Sequence, residues 1–168
     1  MLSNFDLNDI SEHYNFPLTE VVMKDELRAI SPRDGNYIIN LQSSTQGNGT
    51  HWTILAIRDK NCMFYDPFGV LPSQEVITFC RRIPKSHLGY SEKHIQHIRG
   101  ETCGFYVAGF LIHLHNNPNM DLYTASKKFI KMFDYDTAKN NGILKTYFRN
   151  LPKSRGFKLL DRLYSESI

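Results

Sequence analysis

Cysteine is scarce in this chain and never closely spaced. Cys62, Cys80 and Cys103 are the only three in 168 residues, with no Cys-x-x-Cys pair among them. That argues against a disulfide framework and a zinc cage, and for a reducing compartment. Long apolar runs are missing too: none approaches the ~20 residues of a membrane span. The opening Met1-Leu2-Ser3-Asn4-Phe5-Asp6 lacks the basic and apolar blocks of a signal peptide. Neither His94 and His97 nor His113 and His115 have the i, i+4 spacing of a helical metal site, so no metal and no organic cofactor is expected. No charge of one sign dominates. The formal net charge is +3, which allows weak DNA contact through Lys153, Arg155, Lys158 and Arg162 without arguing for it.

What is present describes one globular domain, with a core over about 36–150 and a basic tail over about 151–168. Ser3 to Tyr14 reads as a helix capped by Ser3, with Phe5, Leu7 and Ile10 as its apolar stripe. Residues 19–30 fit helix and strand equally. A strand is expected over Asn36–Leu41 and a polar loop over Ser43–Thr50, within which the sequon Asn48-Gly49-Thr50 is loop sequence. His51–Ile57 and Cys62–Asp66 form a hairpin around Arg58-Asp59-Lys60-Asn61. A helix capped by Ser73 follows to Arg82, then a short strand near Ile95-Gln96. Thr102–His115 is a buried apolar helix, and Asp121–Phe133 and Asp136–Phe148 are helices with Asp caps. The class is α+β: a small antiparallel or mixed central sheet flanked by helices.

The chemistry concentrates in four residues. Closing the hairpin at Arg58-Asp59 sets His51 directly opposite Asp66; a four-residue loop makes them diagonal neighbours. In either register the carboxylate can take the Nδ1 proton of the imidazole and orient the ring. Cys103 starts the apolar helix, where unpaired amides and the helix dipole favour a thiolate. Gly104 leaves room there for substrate and for a free backbone N–H. Gln96, seven residues before Cys103, can return its amide to a reacting carbonyl. Nucleophile, base, orienting carboxylate and oxyanion donor make up the inventory for thiol-based acyl transfer.

These residues carry a resemblance. Gly49-Thr50-His51-Trp52, then Phe64-Tyr65-Asp66-Pro67-Phe68-Gly69, then Gln96 and Thr102-Cys103-Gly104-Phe105-Tyr106 resemble the adenain family of viral maturation proteases. The likeness extends to relatives in virophages, Polinton-type elements and large DNA viruses, and covers about residues 36–115. It implies a permuted papain-like fold in which Cys103 is the nucleophile, His51 the general base and acid, and Asp66 its partner. Gln96 and the Cys103 amide would form the oxyanion hole, with Trp52 against the imidazole. It further implies a monomeric cysteine endopeptidase that cuts capsid and other viral precursor proteins after small, glycine-rich residues, in the virion and the host-cell cytoplasm. A protease removing ubiquitin or a ubiquitin-like modifier shares the same residue order. A non-catalytic capsid- or nucleic-acid-binding module would be expected to lack one or more of the four.

Overall fold

The computed structural model describes residues 1–47 and 50–167. Asn48 and Gly49 of the sequon therefore lie outside the described residues. Among the described residues, five strands form one sheet in the order β1-β2-β3-β4-β5. They are β1 (Glu20–Met23), β2 (Gly35–Asn40), β3 (Trp52–Arg58), β4 (Asn61–Tyr65) and β5 (His87–Tyr90). The three central strands run antiparallel, and each edge strand lies parallel to its neighbour, so the sheet is mixed. The helices are α1 (Asn4–Tyr14), α2 (Gln74–Arg81), α3 (Cys103–Asn116), α4 (Leu122–Lys131), α5 (Asn140–Arg149) and α6 (Leu160–Tyr164). The architecture is α+β, as the patterning implied. No helix among the described residues is long and apolar enough to cross a membrane.

The apolar runs of β3 and β4 are continuous because both faces of the sheet are covered. Ile38, Ile54, Ala56, Met63 and Tyr65 face the larger core, built with α1, α3, α4, α5 and α6. Tyr37, Ile39, Leu55, Ile57, Cys62 and Phe64 face the opposite way, against Val76, Phe79 and Cys80 of α2. Cys62 and Cys80 thus pack together on the far side of the sheet from α3, both buried and both free. Helix α3 is buried along most of its length, which explains why it reads as an unbroken apolar segment with no polar face.

Several local expectations hold, with shifts that have physical causes. Ser3 caps α1 through a capping box: its hydroxyl accepts from the Asp6 N–H at 3.1 Å, and the Asp6 carboxylate accepts from the Ser3 N–H at 2.8 Å. Phe5 is a correction, being exposed, while Leu7 and Ile10 alone form the buried stripe. Residues 19–30 divide between β1 and a 3-10 helix, Lys24–Ala29. The strand expected at Ile95-Gln96 is instead a loop, and β5 lies earlier, at His87–Tyr90. The N–H groups of Ile95 and Gln96 both bond to the Pro67 carbonyl, at 2.9 and 3.1 Å, rather than to a ladder. Asp136 caps a short 3-10 helix, Thr137–Lys139, and α5 begins only at Asn140.

The C-terminal segment is not peripheral. Leu160 and Leu163 are fully buried in the larger core alongside Leu2, Leu7 and Ile10 of the N-terminal segment. The Arg162 guanidinium reaches the Asp6 carboxylate at 3.1 Å and the Met1 carbonyl at 3.0 Å, tying α6 to the start of the chain. The basic residues of this stretch sit on its outer side, as amphipathic packing of a short helix requires.

Candidate active site

The hairpin places the first two residues of the site. Arg58 pairs with Asn61 and Ile54 with Tyr65, so the turn is Asp59-Lys60 alone. Both residues have positive φ, 47° and 69°, the backbone a two-residue hairpin turn demands. The register carries position 53 opposite 66, leaving His51 and Asp66 diagonal neighbours at the open end of the hairpin, the second of the two expected arrangements. His51 is held on its other side by the neighbouring strand: the Leu41 N–H donates to its carbonyl at 3.0 Å. The Asn40 side chain accepts from the Thr50 N–H at 3.1 Å and fixes the approach to His51.

His51 Nε2 lies 2.6 Å from Asp66 Oδ1, and both side chains are buried. The imidazole nitrogen on the carboxylate is therefore Nε2 rather than Nδ1. Asp66 takes Nε2 and leaves Nδ1 unclaimed by the carboxylate; the Cys103 thiol is near enough to act on the ring by hydrogen bonding and by charge. Burial opposes charge on the imidazole, yet the hydrogen bonds to Asp66 and Cys103 outweigh it and hold the His51 pKa up at about 9. At neutral pH the ring is an imidazolium facing a sulfur. Cys103 and His51 expose only 2% and 4% of their surfaces, so little water screens that pairing.

Asp66 is fixed by the turn that follows it. Its Oδ1 also accepts from the Phe68 N–H at 2.7 Å, and its carbonyl accepts from the Gly69 N–H at 2.7 Å. Gly69 has φ +73°, and a Cβ there would stand 2.3 Å from the Glu92 carbonyl oxygen, so the turn accepts only glycine. This turn delivers a residue the sequence reading missed. The Phe68 ring stacks on the His51 imidazole, with centroids 4.2 Å apart and planes 11° from parallel. Trp52, implied to hold that place, points into the larger core and donates Nε1–H to the Leu2 carbonyl at 2.8 Å. Trp52 begins β3 and His51 stands directly before it, and successive residues of extended chain point to opposite sides. The signal available in the sequence was the Asp-Pro-Phe-Gly turn, which places an aromatic two residues beyond the carboxylate.

Cys103 is the first residue of α3, so its N–H and that of Gly104 have no carbonyl partner within the helix. Gly104 has a different role from the one expected. A Cβ there would lie 2.8 Å from Leu2 Cδ1, so the space belongs to the buried Leu2 side chain and not to substrate. Gln96 is fully buried, and its Nε2 donates to the Gly100 carbonyl at 3.0 Å, closing the loop that leads to Cys103. The Pro67 carbonyl, next to Asp66, binds the backbone of this loop at Ile95 and Gln96, which links the carboxylate turn to the glutamine. Compared with known proteins, the sequence matches no family model and no curated protein.

Proposed function

We propose that this protein is a cysteine endopeptidase of permuted papain-like, adenain-like type that matures viral capsid and other precursor proteins by cutting after small, glycine-rich residues. One observation carries the reading: a buried His51–Asp66 pair at 2.6 Å whose imidazole also reaches the Cys103 thiol at the start of a buried helix. A purely structural ion pair would have no need of a thiol beside it at a helix N-terminus, where backbone N–H groups lack carbonyl partners within the helix.

In this mechanism the Cys103 sulfur attacks the scissile carbonyl carbon, forming a carbon–sulfur bond while the carbonyl electrons move to oxygen. The oxyanion is met by the Cys103 backbone N–H and by Gln96. The Gln96 Nε2 carries two hydrogens, only one of which is used by Gly100. Collapse of the tetrahedral species expels the amine, which takes the proton of the His51 imidazolium. His51, now neutral, accepts a proton from water as that water attacks the thioester, and Cys103 is released. Asp66 holds the ring throughout and stabilises its charge whenever it is protonated, and Phe68 fixes the plane in which the ring lies. No step calls for a metal or an organic cofactor.

The test is cleavage of a panel of capsid precursors and Gly-Gly-containing peptides by wild type and by Cys103→Ala. Cleavage abolished by that change in a folded protein supports the reading. Release of a ubiquitin-like modifier without precursor cleavage would instead favour a modifier protease on the same site. Absence of cleavage by folded wild type across the panel contradicts the substrate assignment.

A further inference from the structure

Helix α5 opens with two buried asparagines, Asn140 and Asn141, that no part of the mechanism above employs. A buried amide that does not bond is costly, so what these two bond to is informative. Asn140 Nδ2 donates to the Ile95 carbonyl and to the Asp134 carbonyl, both at 2.8 Å, and its Oδ1 accepts from the Asp134 N–H at 2.8 Å. Asn141 Oδ1 accepts from the Thr102 hydroxyl at 3.1 Å and from the Tyr106 hydroxyl at 3.0 Å. Ile95 immediately precedes Gln96, and Thr102 immediately precedes Cys103. Two consecutive residues of one helix therefore grip both ends of the loop that carries the oxyanion glutamine to the nucleophile.

Thr102 shows that this grip displaces a local alternative. It occupies the N-cap position of α3, where a threonine ordinarily turns its hydroxyl back onto a helix N–H. Here it makes no side-chain cap bond and has φ −98° and ψ 9°. Its hydroxyl is turned outward to Asn141, together with that of Tyr106, one turn further along the same helix face. A cap has been exchanged for a long-range tie.

We propose that Asn140 and Asn141 are positioning residues that set the separation between the Gln96 amide and the Cys103 sulfur, a proposal that rests on the thiol-hydrolase reading of the site. Asn140 acts on the oxyanion side through Ile95, and Asn141 on the nucleophile side through Thr102. The two halves are separable by chemistry. Alkylation by iodoacetamide forms a carbon–sulfur bond with loss of iodide and needs no oxyanion donor. Acylation by p-nitrophenyl acetate forms a thioester with loss of p-nitrophenolate and passes through an oxyanion.

The experiment measures both rate constants at Cys103 in wild type, Asn140→Ala and Asn141→Ala, with thermal unfolding to confirm folding. Asn140→Ala is expected to slow acylation about tenfold or more while alkylation is unchanged, since small displacements of a donor are costly. Asn141→Ala is expected to slow both. Equal losses in both reactions for Asn140→Ala, tracking loss of folded protein, would make it merely structural and overturn the proposal, as would no loss in either. Should Asn141→Ala not fold, Thr102→Val removes the same tie from the nucleophile side by a single hydroxyl, and unchanged rates in that variant would overturn the proposal. Wild type inert to both reagents at Cys103 would contradict the thiol-hydrolase reading itself; reactive wild type with unmoved variants contradicts only the brace.

Discussion

Replacing Asp66 by Asn removes one charge and little else. The Asn Oδ1 can still accept from the Phe68 N–H, which donates to Asp66 Oδ1 at 2.7 Å, so the turn should persist. What is lost is the partner that keeps His51 charged. Raising an imidazole from its ordinary 6.5 to about 9 corresponds to about 3 kcal/mol of preference for the charged form, at ~1.4 kcal/mol per pH unit. Asp66 shares that effect with Cys103, so the substitution should remove on the order of 2 kcal/mol of it. The sign follows from a folded-state pKa above the unfolded one. The stabilisation is complete below about 6.5 and disappears as pH rises through about 9. Denaturant unfolding of wild type and Asp66→Asn at pH 6 and pH 10 should therefore show a larger deficit at pH 6. The Asn amide nitrogen, placed where Asp66 Oδ2 is buried without a partner, adds a cost that does not vary with pH and cancels in the comparison. Activity should show the same shift, with the alkaline limb near 9 in wild type moving down toward 6.5 in the variant. Equal deficits at both pH values, with an unmoved alkaline limb, would refute the argument.

Other substitutions separate the roles of neighbouring side chains. Phe68→Ala should lower kcat about tenfold with KM little changed, because the imidazole loses the ring that fixes its plane, and Phe68→Trp should restore most of it; steady-state kinetics on a cleaved peptide decides this. Trp52→Phe should cost about 1 kcal/mol in unfolding through loss of the bond to the Leu2 carbonyl while leaving kcat near wild type. Gly104→Ala should destabilise by about 1–3 kcal/mol because the new methyl meets Leu2 at 2.8 Å. Pairing it with Leu2→Ala in a double-mutant cycle should recover part of that loss, and strict additivity would contradict the contact. Leu160→Ala should cost about 2–5 kcal/mol by thermal or denaturant unfolding, as for a core leucine, where a free tail would cost nothing.

The parts of the site that sequence could reveal are those governed by short-range geometry. His51 and Asp66 follow from the hairpin, and either candidate register leaves them in reach of one another, so the choice of turn did not matter. The true turn at Asp59-Lys60 was obscured because two non-glycine residues adopt positive φ there; the Asp34 carboxylate, which accepts from the Asp59 N–H, helps hold them. Cys103 was visible as the break between a polar loop and an apolar helix. Side-chain direction was harder. Whether Trp52 or Phe68 lies on the imidazole depends on strand alternation meeting a glycine turn, and Gly104 looked like open space because the residue filling it, Leu2, is a hundred positions away. The loop through Ile95 and Gln96 had strand-like residues, but its N–H groups are taken by Pro67. The asparagines of α5 gave little local signal: apart from Asp134, six residues before Asn140, their partners lie 35 to 45 residues away in sequence.

The central claim is that Cys103 is a nucleophile activated by His51, and the pH dependence of its alkylation by iodoacetamide tests it most directly. Peptide mapping by mass spectrometry reads all three cysteines in one experiment, with Cys62 and Cys80, buried as Cys103 is, as internal controls. Cys103 should react at pH 7 far faster than the other two, with the advantage lost in His51→Ala and reduced in Asp66→Asn. A Cys103 that reacts no faster than the controls, or equally fast without His51, would contradict the account.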